Sequence, residues 1–155
     1  MTRKSSNRNT DRRYVASPLF KLTKKEHDAI NSIIRNTFTR MKTAPFTKVQ
    51  WYDVLIRLVV GKMMIANFYT EETANEYAVC IKTMDAIEER AELTDYQTWT
   101  MTDEEAEVIE AGLDAVEVTQ LEVPRVDFLK AHREVYKVIT DMYQHKQKLL
   151  GKAPV

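Results

Sequence analysis

Glycine is scarce in this chain. It occurs three times in 155 residues, beside four prolines, against ordinary shares of about 7% and 5%. Two-residue hairpin turns and phosphate-cradling loops both depend on glycine, for positive φ in the first case and close backbone approach in the second. The scarcity therefore argues against hairpin-rich β architecture and against nucleotide binding by a glycine-rich loop, and leaves helices as the expected material. With 44% apolar residues, a chain of this length buries an adequate core as one domain without crosslinks. The single cysteine, Cys80, excludes an intramolecular disulfide framework and a cysteine-based zinc finger. It accords with a reducing, cytoplasmic setting.

The helices announce themselves by their starts. Thr23 is followed three residues later by Glu26, Thr47 by Gln50 and Thr102 by Glu105, each the spacing of a capping box, in which hydroxyl and acid or amide satisfy each other's backbone N–H. The first helix carries Ile30, Ile33, Ile34, Phe38 and Met41 at helical spacing and is stopped by Pro45. The second is apolar on nearly all sides from Val54 to Tyr69, which predicts the central helix of a bundle, with Gly61 at a close helix crossing. The third follows Thr70, with Ala74, Tyr77, Ile81 and Met84 facing inward and Cys80 and Ile87 beside them as core hydrophobes. Residues 94–102 form a long break with room for a short strand, and Trp99 there is either an exposed contact residue or the lid of the bundle. The fourth helix directs Ala106, Ile109, Leu113 and Val116 inward. The fifth follows the break at Pro124 and runs to about Leu150, with a heptad-like seam of Leu129, His132, Tyr136, Ile139 and Tyr143, widened by Val135, Val138 and Met142. A seam that wide predicts burial against a second copy or another protein.

Charge is balanced overall, 23 basic against 23 acidic side chains, yet strongly segregated. Residues 1–62 carry 14 Lys/Arg and 4 Asp/Glu, residues 63–122 carry 2 and 16, and residues 123–155 carry 7 and 3. Opposite blocks either face each other in the fold or meet external partners of opposite sign. Residues 1–16 hold too few apolar groups to offset their ordering entropy, so they are expected to form a flexible basic arm. They lack the apolar stretch of a secretory signal.

Three sets of residues could carry function. Arg3, Lys4, Arg8, Arg12 and Arg13 in the arm, continued by Lys24, Lys25, Arg35, Arg40 and Lys42 on the first helix, suit sequence-independent contact with phosphates. Asp103, Glu107, Glu110, Asp114 and Glu117 recur at spacings of four and three, so they lie along one helix face suited to a basic protein partner, with Trp99 nearby. Glu89-x-x-Glu92 and Glu107-x-x-Glu110 put acidic pairs on consecutive helices, a donor type that hard cations such as Mg²⁺ accept. That spacing resembles the ExxE…ExxD arrangement of all-α nucleoside triphosphate pyrophosphohydrolases of the MazG type, which implies Mg²⁺-dependent nucleotide hydrolysis. Glu110 stands where that arrangement has Asp, and the rest of the chain does not match. His132 is expected to be a hydrogen-bonded interior residue and His145 to pair with Asp141. No HExxH, GxSxG or Walker sequence occurs.

The expected molecule is therefore all-α: a flexible arm at 1–16, a compact bundle of about five helices over 17–150, and a short tail at 151–155. The expected role is non-enzymatic, without cofactor or metal. It is that of an interaction or regulatory protein acting through charged faces, the expected partners being a second copy or another protein, with nucleic acid as the alternative and no membrane.

Overall fold

A computed structural model describes residues 21–65 and 71–149 and shows five helices: α1 (Lys24–Thr43), α2 (Lys48–Ile65), α3 (Glu71–Glu92), α4 (Asp103–Glu122) and α5 (Arg125–Leu149). Among the described residues the one extended pairing is an isolated antiparallel bridge between Lys21 and Pro124. The arm at 1–16, the tail at 151–155 and the expected start signal at Thr70 lie outside the described residues.

Local chemistry sets the helix ends. Thr102 and Glu105 form the reciprocal capping box, and Thr47 and Gln50 do the same at 3.3 and 2.9 Å. At α1 only half of the box forms. The Thr23 hydroxyl accepts from the Glu26 N–H at 3.2 Å, while the Glu26 carboxylate is engaged by Arg125, ninety-nine residues on. Pro45 acts as expected, with Ala44 extended before it and the helix closed at Thr43.

The stretch after α3 forms no strand. The Tyr96 N–H bonds the Ala91 carbonyl and the Asp95 N–H bonds the Glu92 carbonyl, at 2.9 Å each, which is the double bond pattern of a Schellman cap. Its left-handed position, usually glycine, is Asp95 at φ 55°, followed by Tyr96 at φ 59°. Trp99 then turns inward. It is 3% exposed, donates its indole N–H to the Tyr96 carbonyl at 3.2 Å, and lies in a cluster with Phe46, Trp51 and Tyr96. The Phe46 N–H bonds the Trp99 carbonyl at 3.1 Å, tying the α1–α2 and α3–α4 connections together. Trp99 is thus the lid of one bundle end. The alternative of an exposed contact residue is overturned, because its indole has a full set of aromatic neighbours inside the fold.

Helix α2 is central, packing against all four other helices. Val54, Leu58, Val60, Met64 and Ile65 are buried along it. Gly61 sits at a close helix crossing, as its place in the sequence predicts. A Cβ there would lie 2.5 Å from a Val116 methyl and 2.8 Å from the Tyr77 ring. The inward residues of α4 are those the spacing predicts, Ala106, Ile109, Leu113 and Val116.

Helix α5 departs from its predicted face. The buried stripe is Phe128, Ala131 and Val135, while Leu129 and Tyr136 are about half exposed. His132 is half-buried, set edge-on to Phe128 with centroids 4.5 Å apart and near-parallel to Tyr136. Its Nε2 meets no hydrogen-bond partner among the described residues.

Candidate functional site

The acidic face of α4 meets the basic face of α1. Lys42 lies 3.6 Å from Glu110, and Arg35 reaches both Glu117, at 2.6 Å, and Asp114. The partners rise along one helix as they fall along the other, so α1 and α4 run antiparallel and their charge patterns are in register. Arg35 is about one-quarter exposed. Its hydrogen bond to Glu117 raises its pKa, partial burial opposes this, and Asp114 adds to the rise, leaving it above the ordinary arginine value. Two members of the basic set, Arg35 and Lys42, and three of the acidic set, Glu110, Asp114 and Glu117, therefore engage one another.

The others stand differently. Lys24, Lys25 and Arg40 are exposed on α1, and Asp103 and Glu107 are exposed at the start of α4. Asp103 and Glu107 line an open cavity of about 320 Å³ together with Lys42, Met101 and Glu110. The arm residues Arg3, Lys4, Arg8, Arg12 and Arg13 lie outside the described residues. Glu89 and Glu92 are exposed on α3. Among the described residues no three His, Cys, Asp or Glu side chains converge in a way that could hold a metal ion, and no helix is long and apolar enough to cross a membrane.

A buried polar cluster escaped the sequence pattern. Arg57, 3% exposed, donates to the Asn31 amide oxygen at 2.5 Å and to that of Gln120. Asn31 in turn meets His27 Nε2 at 2.8 Å. These residues come from α1, α2 and α4. The cation is served by amide oxygens rather than by a carboxylate in contact, and burial lowers its pKa to about 10. Arg57 also lines a groove of about 190 Å³ with Ile30, Ile34, Ile56, His132 and Tyr136. Burial first, and then the Arg57 charge, lowers the His132 pKa and favours the neutral ring. The signals in the sequence were faint: one arginine within an apolar run, and two amides outside the apolar stripes.

Among the described residues, apolar surface is left open on α5 and between α3 and α4. On α5, residues 128, 131, 135, 138 and 142 share one face by their spacing of three and four. The first three are buried, yet Val138 is 53% and Met142 is 67% exposed. The stripe thus continues past the point where the bundle covers it. Between α3 and α4 lies an open groove of about 350 Å³ whose walls include Tyr77, Val79, Cys80, Val108, Ala111 and Ala115. Gly112 forms part of it, and a Cβ there would lie 2.5 Å from Cys80 Sγ. The Cys80 thiol donates to the Val108 carbonyl at 3.3 Å. Burial, then the charge of Glu76, holds its pKa above the ordinary thiol value, which disfavours the reactive thiolate.

No protein-family model, no curated protein and no solved structure matches this chain.

Proposed function

We propose that the protein is a non-enzymatic helical interaction module that associates through the outer part of α5, with a second copy of itself as the partner. One observation carries this reading: the apolar stripe of α5 runs from buried Val135 to exposed Val138 and Met142 without any break in its spacing. Apolar groups in such a continuous row are ordinarily covered, and a row left bare along a projecting helix is the common form of a helix-mediated interface. The flank of the same helix adds Leu129 and Tyr136, both about half exposed. Both signs of charge occur along α5, with Lys130, Arg133 and Lys137 interspersed with Glu134 and Asp141, so a partner meets no uniform barrier of one sign.

The internal pairing of α1 with α4 changes which charges serve this role. Recognition of a basic protein through α4 would rest on Asp103 and Glu107, since Glu110, Asp114 and Glu117 already face cations. The apolar stripe therefore takes precedence over the charged faces as the association surface.

Sedimentation velocity across the micromolar range tests the reading. The natural chain is expected to show concentration-dependent association, and Val138→Glu with Met142→Glu to abolish it while leaving the helical circular dichroism intact, because both positions are exposed. A natural chain that stays monomeric throughout that range would sink the proposal.

A further inference from the structure

The reading of α5 as an association surface leaves open what it binds on the second copy, and the groove between α3 and α4 answers in shape and in charge. On the α4 side, Ala111 and Ala115 present no bulk beyond Cβ, so an incoming helix can approach the backbone closely. On the α3 side, Val79 is 54% exposed and leaves an apolar wall open to solvent. The groove is concave where the α5 stripe is convex. Met142 is unbranched and adaptable, the side-chain type that fills an irregular apolar recess.

Charge selects the groove over a second α5. Residues 63–122, which supply both groove walls, carry 2 basic and 16 acidic side chains, whereas residues 123–155 carry 7 basic and 3 acidic. Glu76 lines the groove itself, and Lys137 adjoins the stripe. α5 mixes both signs with a net positive balance, so two α5 segments facing each other gain nothing from their net charge, while α5 on the net acidic α3–α4 pair meets the opposite sign. The two surfaces lie on different helices, so one copy can use both at once.

We infer that copies of this chain associate head to tail, with Val138 and Met142 of one copy seated in the α3–α4 groove of the next. This rests on the proposed role of α5 and adds the identity of its receptor. Such a contact is heterologous, so it closes into a ring or grows into a filament instead of stopping at a symmetric dimer.

Complementary variants test it by sedimentation velocity. A ridge variant, Val138→Glu with Met142→Glu, keeps an intact groove. A groove variant, Val79→Glu with Ala111→Glu, keeps an intact ridge, and all four positions are exposed, so the fold is expected to survive. Circular dichroism and thermal melting confirm this for each. The natural chain is expected to form species larger than dimers, each variant alone to remain monomeric, and the equimolar mixture to form a one-to-one dimer that does not grow. If the groove variant assembles as the natural chain does, the receptor is elsewhere and the head-to-tail inference is overturned, while the role of α5 stands. If both variants are monomeric and their mixture is too, the contact is not head to tail and the inference is likewise overturned. A natural chain that never associates overturns the role of α5 and this inference together.

Discussion

Arg57 shows how much a single position owes to residues far away in sequence. In the run from Val54 to Ile65 it reads as a polar interruption, and its burial depends on amide oxygens from Asn31 and Gln120 that only tertiary packing delivers. Tyr77 is a comparable case with a measurable consequence. Its ring is fully buried against Gly61, and its hydroxyl shares a hydrogen bond of 3.2 Å with Thr119. Burial, the largest cause, pushes its pKa from the ordinary 10 up to about 12. The fold thus favours the neutral phenol, so this contribution to stability is complete below pH 10 and is lost as the pH rises through about 12. Ultraviolet titration of the native protein is expected to show a phenolate component near pH 12 that Tyr77→Phe removes. A native titration curve unchanged by that substitution would contradict the assignment. Tyr77 itself was legible as an inward residue from its spacing; the titration behaviour was not, because the hydroxyl's partner lies forty-two residues away.

At the scale of the element, what could be read was what is local. The starts at Thr23, Thr47 and Thr102 and the stop before Pro45 depend on bonds within four residues, and each appears in the fold. The face of α5 was misassigned for the opposite reason. Apolar residues surround much of that helix, so its sequence admits two stripes, and α2 selects the one through Phe128, Ala131 and Val135. The cap after α3 was also missed, because the left-handed position that glycine normally marks is held by Asp95. Two substitutions of opposite sign follow. Gly61→Ala gains up to about 1 kcal/mol of helix propensity but forces a methyl against Val116 and Tyr77, at about 1–3 kcal/mol for overpacking. A net loss of stability is expected. Asp95→Gly removes a side chain from left-handed backbone and is expected to stabilise by about 0.5–1 kcal/mol. Thermal and urea unfolding of the two variants beside the natural chain checks both signs.

For the molecule as a whole, the segregation of charge was plain in the sequence, but its meaning was not. Blocks of opposite sign are compatible with internal pairing or with external partners until the helices are placed. The antiparallel register of α1 and α4 supplies the pairing, through Arg35 and Lys42 on one side and Glu110, Asp114 and Glu117 on the other. The reading of the basic surface as a phosphate-binding one then narrows to residues 1–16 with Lys24, Lys25 and Arg40. Any binding of labelled oligonucleotides is accordingly expected to weaken steeply with salt and to be lost on deletion of residues 1–16. Anisotropy titrations measure this, and binding that persists unchanged in the shortened chain would rule out the arm.

Cys80 is the only thiol in the chain, and it sits beneath Gly112 at the floor of the α3–α4 groove. The natural protein therefore contains its own chemical clock. Cys80 is 4% exposed and lines the open groove, so the rate at which a thiol reagent labels it under native conditions reports access to that groove, without any substitution or attached probe. A groove occupied by another helix would slow the clock, and dilution would restore its pace.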